Sequence, residues 1–109
     1  MDYRTLSASD VASMAYDALR DRELRHAQAT VAIAAFPTNT DLAVALATAE
    51  EQVSGAQAWF DQRVGDAIEA GDVPDTLAPF VDAVTARLDT AGRKLAVPAQ
   101  PAPVEQIAP

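Results

Sequence analysis

The sequence predicts an all-α fold: a long antiparallel helical hairpin, a shorter third helix completing a three-helix bundle, and an extended C-terminal tail rich in proline and alanine. Three observations predict it. Apolar residues recur at steps of three and four in three separate segments. The two longest segments contain no proline. Four of the seven prolines fall in the last thirteen residues. We therefore expect a bundle domain over residues 1–95 and a tail over residues 96–109.

The first helix is predicted from about Ala8 to Ala35. Ser7, with Asp10 three residues later, resembles a capping box, and no glycine or proline follows before Pro37. At 100° per residue, one face of this helix collects a set of apolar residues, which we expect to pack against the next helix. These are Val11, Met14, Ala15, Ala18, Ala29, Ala32, Ile33 and Phe36.

The second helix is predicted from about Asp41 to Ala70, with Thr40 as its N-cap and Gly71 closing it. Its apolar positions alternate steps of four and three, which is typical of the seam of an antiparallel hairpin. They are Leu42, Leu46, Ala49, Val53, Ala56, Phe60 and Ala67. Gly55 and Gly65 lie inside this helix and each costs about 1 kcal/mol relative to alanine. Close approach of another part of the chain is one reason to keep them.

A third, shorter helix is predicted after the break at Asp72-Val73-Pro74. Asp75 or Thr76 caps it, Pro79 falls in its first turn, and it runs to about Ala91. Its apolar residues repeat the four-three spacing: Leu77, Val81, Val84, Leu88, Ala91 and Leu95. Because this helix is much shorter than the other two, we expect part of the hairpin to remain exposed. The prolines after Val97 favour an extended, polyproline-like tail.

Composition and charge exclude several functions. At 109 residues the chain has room for one core, and its net charge is −8 with a single lysine. This charge argues against nucleic acids and anionic membranes, which bind clustered Lys and Arg. The absence of cysteine excludes thiolate chemistry. The N-terminus lacks the pattern of a signal peptide. We expect a location in the cytoplasm or in a particle assembled there, such as a virion.

A polar band interrupts the hairpin in the middle of the first helix. If the chain folds back at Thr38-Asn39, Arg25 and His26 come level with Glu50 and Glu51, so Arg22 and Arg25 of the first helix can pair with these two glutamates. Ion pairs between these residues would fix the register of the two helices more than they would stabilise it. We predict that the band acts in this structural way.

An alternative hypothesis gives the same region to a metal. Glu23-Leu24-Arg25-His26 matches the Glu-x-x-His pattern of di-iron carboxylate bundles, with Glu50 or Glu51 from the second helix completing the site. The sequence departs from that pattern because it holds only one histidine and two nearby arginines, whose charge opposes metal binding. A ferritin-like hairpin that completes a metal site by dimerising therefore stays an alternative, and we expect no cofactor.

Surface residues point instead to a protein partner. Leu24 and Val31 lie on the side of the first helix opposite the predicted seam, and Trp59 lies beside the seam of the second helix, either under the third helix or at an interface. Val97, Val104 and Ile107 space apolar side chains along the tail, which is typical of a docking peptide.

The sequence therefore predicts a protein that is not an enzyme, because it holds no catalytic constellation such as a Ser-His-Asp set. The preferred function is a structural or accessory subunit that docks onto a larger protein assembly through its helices and tail. Examples are a virion component or a small subunit of a complex. A homo-oligomer stays open, as does a small regulator that binds one partner transiently.

Overall fold

The computed structural model describes residues 6–96 and shows an all-helical fold there, which confirms the predicted hairpin with a third, shorter helix. The elements are α1 (Ala8–Ala35), α2 (Thr40–Ala70), a 3-10 segment (Asp75–Phe80) and α3 (Val81–Thr90). The two long helices pack against each other along the hairpin, and α3 packs mainly on α2. No strand occurs in this part of the chain.

Local capping chemistry sets the ends of the two long helices. The Ser7 hydroxyl accepts a hydrogen bond from the Asp10 amide at 3.0 Å, and the Asp10 carboxylate accepts one from the Ser7 amide at 3.2 Å, so the predicted capping box is present. The N-cap of α2 is Asn39 rather than Thr40, because the Asn39 side chain reaches the Leu42 amide at 3.0 Å. Gly71 ends α2 in the left-handed conformation, with φ 67°.

The start of the third helix differs from the prediction. Residues 75–80 form a 3-10 helix, and regular α-helix begins only at Val81. Pro79 is the reason: in an α-helix begun at Asp75 it would be the fifth residue, where an amide donor is needed and the ring clashes with a carbonyl one turn back. The tighter winding is visible at Leu77, whose amide donates to the Pro74 carbonyl three residues earlier at 2.9 Å.

The core lies at the end of the hairpin far from the α1–α2 turn. Its buried side chains are Ala12, Ala15, Leu19, Phe60, Val64, Ala67, Ile68, Leu77, Val84 and Leu88. At one side of this core the rings of Tyr16, Phe60 and Phe80 form a cluster with centroids 5.5 to 5.9 Å apart; Phe60 and Phe80 meet edge to face and the other two pairs are tilted. In the rest of the hairpin, residues 22–58, which we call the arm, the one buried residue is Ala49.

The predicted inner face of α1 is wrong at its two largest members. Met14 and Phe36 are exposed, while Ala12 and Leu19 are buried. The inner face of α1 is turned because α3 and the 3-10 segment pack on one flank of the hairpin and bring the Tyr16 side of α1 inward. Sequence periodicity predicts the buried face of a helix that packs on one partner. Here α1 packs both on α2 and on the segment around Phe80, so its buried face is rotated.

At Gly65, α3 and the segment after it pack closely on α2. A β-carbon built there would lie 2.7 Å from Leu88 Cδ1, 3.1 Å from the Arg93 guanidinium and 3.2 Å from Leu95 Cδ2. At Gly55 the same atom would meet nothing within 4 Å. The predicted close approach therefore holds for Gly65 and not for Gly55.

We expect Gly65→Ala and Gly55→Ala to change stability in opposite directions. Gly55→Ala should raise the free energy of unfolding by about 0.5–1 kcal/mol, because alanine is the better helix former. Gly65→Ala should lower it by about 1 kcal/mol, because overpacking against buried Leu88 exceeds that gain. Urea denaturation of both variants at one protein concentration measures this. Equal stabilisation by the two substitutions would show that the contact at Gly65 is not tight.

Candidate protein-interaction site

The outer side of α1 in the arm is an exposed apolar stripe. Leu24 is 58% exposed and Val31 is 70% exposed. Ala27, Ala34 and Ala35 continue the same side at helical spacing and are also exposed. Both residues predicted on this side of α1 are thus accessible to a partner.

Trp59 lies on the side of α2 that α3 does not cover. It stands two residues before Asp61, and two residues turn about 200° around a helix. Asp61 faces α3, since Arg87 of that helix donates to its carboxylate. Trp59 therefore projects away from α3 and is 41% exposed. Of the two positions expected for it, the structure supports the one outside the bundle.

The segment after α3 is pinned to α2 before the tail begins. The Arg93 guanidinium donates to Asp66 at 2.9 Å and to Glu69 at 2.7 Å. It also donates to the backbone carbonyl oxygen and to the side-chain amide oxygen of Gln62. The Ala96 amide donates to the second Glu69 carboxylate oxygen at 2.7 Å. We call this set the clamp. Val97, Val104 and Ile107 lie outside the described residues, but the clamp fixes the point from which their segment departs.

Charge in the clamp has a direct effect on acidity. The hydrogen bond from the Ala96 amide and those from Arg93 lower the pKa of Glu69 below its ordinary value of 4.5. The Glu69 and Asp66 carboxylates in turn raise the pKa of Arg93. Glu69 thus contributes to the clamp while it is ionised, and that contribution is lost as the pH falls through its lowered pKa.

A second polar contact joins α2 to α3. The Arg87 guanidinium donates two hydrogen bonds to Asp61, at 2.9 and 2.8 Å, and Gln57 donates a third at 3.0 Å. Asp61 is only 7% exposed and is the one charged residue buried in residues 6–96. The hydrogen bonds that Arg87 donates to the Asp61 carboxylate raise the pKa of Arg87. This bidentate pair fixes the position of α3 along α2.

The predicted ion-pair band between the helices does not form within the described chain. Arg22 and Arg25 instead pair with Asp21 on their own helix, at 2.8 and 3.2 Å. Fold-back does bring Arg25 level with Glu51, but the two project to different sides. Glu51 stands two residues after buried Ala49, which turns it about 200° away from the seam.

The residues proposed for a metal site are not gathered into one. Glu23, Glu50 and Glu51 are exposed and His26 is half-buried. Within residues 6–96 no group of three or more His, Asp or Glu side chains is placed to hold a metal ion. Nor does any helix of that range have the length and apolar content to cross a membrane.

Two small clefts flank α3. One, of about 470 Å³, runs along α3 and is lined at its end by Arg93, Lys94 and Leu95. The other, of about 240 Å³, opens between the helices beside Tyr16, Phe60 and Phe80. Its two arginines are engaged: Arg20 lies over the Tyr16 ring, 5.9 Å from the centroid, and Arg87 pairs with Asp61.

The residues that hold α3 in place were not predicted from the sequence. Asp61 and Arg87 are 26 positions apart, and Glu69 and Arg93 are 24 apart. No local pattern links residues so far apart on different helices. The only signal was indirect: an aspartate, Asp61, directly follows the apolar seam residue Phe60.

Comparison with family models, curated proteins and solved structures finds no match to this chain.

Removing the Asp61 carboxylate should destabilise the fold. We expect Asp61→Ala to lower the free energy of unfolding by about 2 kcal/mol, because three hydrogen bonds to a buried charged group are lost while half-exposed Arg87 regains water. Thermal and urea denaturation measure the change. Asp89→Ala, an exposed aspartate of α3, is the matched control and should stay within about 0.5 kcal/mol. A similar small effect from Asp61→Ala would contradict the role of the pair.

The clamp should open in acid. NMR titration of the Ala96 amide should show its hydrogen bond to Glu69 at neutral pH and its loss with a midpoint below 4.5, because the pKa of Glu69 is lowered. Glu69→Gln removes the titrating group and should abolish the transition. A midpoint at or above 4.5 would mean that Ala96 and Arg93 do not bind the ionised carboxylate.

Proposed function

We propose that this chain is a non-enzymatic accessory or structural subunit that docks onto a larger protein assembly through the outer stripe of α1 and the C-terminal tail. The observation that carries the proposal is the composition of α1 in the arm. From Ala27 to Ala35 this helix has no charged residue and only two polar ones, Gln28 and Thr30. Helices that are apolar on all sides occur in buried positions, yet the outer side here is exposed.

Exposure of this stripe is not a local accident of one side chain. Leu24 and Val31 sit two turns apart on the same side, with exposed alanines between and after them. Small side chains permit a second helix to approach closely, and Leu24 and Val31 add the larger apolar area that a partner would bury. A helix or groove of a partner protein fits this surface.

The tail supports the same function. It departs from the clamp at Ala96, beside Glu69. The thirteen residues after Ala96 would span about 40 Å in a polyproline conformation. Proline restricts the free tail, which lowers the entropy lost on docking. A fixed departure point with a pre-restricted apolar peptide suits attachment to a neighbour.

Such a subunit would reside in the cytoplasm or in a particle assembled there, with a virion or a multi-subunit complex as examples. A regulator that binds one protein transiently uses the same surfaces but exchanges with a free pool. The two differ in how long the chain stays bound. A permanent subunit stays with its assembly through purification at a fixed stoichiometry, whereas a transient regulator dissociates.

Native purification of the full chain from its own source tests the proposal. We expect the chain in a high-mass fraction at constant ratio to its partner, and we expect Val31→Asp and removal of residues 97–109 each to move most of it to the free fraction. Ala83→Asp, on the exposed side of α3, is the matched control and should leave it bound. A free pool of wild-type chain would indicate the regulator, and variants that stay fully bound would contradict docking through these surfaces.

A further inference from the structure

The side of the hairpin opposite α3, which we call the open face, carries large apolar side chains. On α1, Met14 stands two residues before Tyr16, whose ring packs on Phe80 at 5.5 Å. Two residues turn about 200° around a helix, so Met14 projects away from α3 and the 3-10 segment, as Trp59 does on α2. Met14 is 51% exposed. The two side chains lie at the core end of the same face.

The open face continues to the turn of the hairpin. Phe36 follows Met14 by twenty-two residues, so the two project within about 40° of each other around α1. Asp41 precedes Trp59 by eighteen residues, so these two project in the same direction from α2. Phe36 is 64% exposed. Between the two ends the face holds mostly small or uncharged residues, namely Ala18, Ala29, Ala32, Ala45, Thr48, Gln52 and Ala56.

We propose that the open face binds the open face of a second copy of this chain, with the two hairpins antiparallel. The two-fold axis crosses α1 at Arg25 and α2 at Gln52. It sets Phe36 of one copy on Met14 of the other, in the α1–α1 contact. In the α2–α2 contact it sets Trp59 over Ala45, a large side chain over a small one. Such a patch is self-complementary, as a two-fold interface requires.

The position of this axis follows separately from residue pairs on α1 and on α2, and the two positions lie at nearly the same level of the hairpin. On α1 the axis follows from matching Phe36 with Met14, and on α2 from matching Asp41 with Arg63. Within one chain the Tyr16 ring meets Phe60, at 5.9 Å, and the same register puts Arg25 level with Glu51. That level is one residue from Gln52, or about 1.5 Å along the helix.

Charge on the open face fits the same arrangement. Asp41 is the one acidic residue between Arg25 and Glu50, and the axis brings it opposite Arg63. Arg63 has a buried Nε without a hydrogen-bond partner, and its ion pair with Asp66 is long, at 3.3 Å. At the axis itself, each Arg25 already pairs with Asp21 of its own helix at 3.2 Å, which offsets part of its charge.

Net charge also favours this orientation over others. The segment from Leu24 to Ala49 holds one arginine and one aspartate, so the whole net charge of −8 lies outside it. Copies of an acidic chain repel one another unless they meet along a neutral surface. In the register above, this neutral segment of each copy lies on residues 14–26 and 55–63 of the other, and the two acidic α3 ends lie at opposite ends of the dimer.

The area of the open face is large enough for a specific dimer. From Met14 to Phe36 the helices overlap for about 33 Å, and two helices side by side are about 18 Å wide, giving about 600 Å² per copy. The total exceeds about 1,000 Å², the least that specific interfaces bury. The outer stripe of α1 is one helix wide and half as long, so it does not suffice, and it stays accessible in this dimer.

Sedimentation velocity and light scattering of the full chain test the inference. At about 100 µM, a dimer with a Kd near 10 µM holds about four fifths of the chains, so we expect an average mass approaching twice the 11.5 kDa of one chain. Phe36→Asp should weaken dimerisation at least about tenfold. Val31→Asp, at a comparably exposed position on the outer side of the same helix, should leave Kd unchanged. Circular dichroism verifies that both variants remain helical.

A charge swap tests the register. Asp41→Arg and Arg63→Asp should each weaken the dimer, and the double variant should restore it, because the pair then forms with reversed signs. Trp59 is the only tryptophan, so its emission should shift to the blue as the dimer forms. A wild-type monomer at the same concentration, a dimer abolished by Val31→Asp but not by Phe36→Asp, or a double variant no better than either single one would each overturn the proposal.

Discussion

The packing of α3 on α2 at Gly65 is the constraint on which the rest of the structure depends. The missing side chain admits Leu88 to contact distance, and polar contacts on both sides of it, Asp61 with Arg87 and Glu69 with Arg93, hold the register. Without this contact the chain would be two long helices, with alanine as much of the α1 side of their contact. Alanine buries little apolar area, so such a pair would gain little from burial.

Because α3 has only ten residues, it completes a core at one end of the hairpin and leaves the other end as a bare pair of helices. This division explains where the interaction surfaces lie. Large apolar residues at the α3 end, such as Phe60 and Val64, are enclosed, while those in the arm, such as Leu24 and Val31, have no neighbour within residues 6–96 to cover them. The shortness of one helix thus creates both the core and the exposed surface.

Local chemistry made much of this fold predictable. The Ser7 box and Gly71 mark helix ends by interactions within a few residues, so the sequence alone predicts α1 and nearly all of α2. Features that depend on a third body were not predictable in the same way. The inner face of α1 depends on where α3 packs. The predicted pairing of Arg25 with Glu51 considered only the height of each residue along its helix, and not the direction in which its side chain projects.

The two proposed interactions use different sides of the hairpin, and together they describe a connector. Antiparallel pairing through the open face leaves both α1 outer stripes accessible. It also places the two clamps, and with them the points at Ala96 from which the tails depart, at opposite ends of the dimer. A dimer built in this way presents the same docking surface twice, related by a two-fold axis. Under both proposals, such a dimer would join two equivalent sites of an assembly.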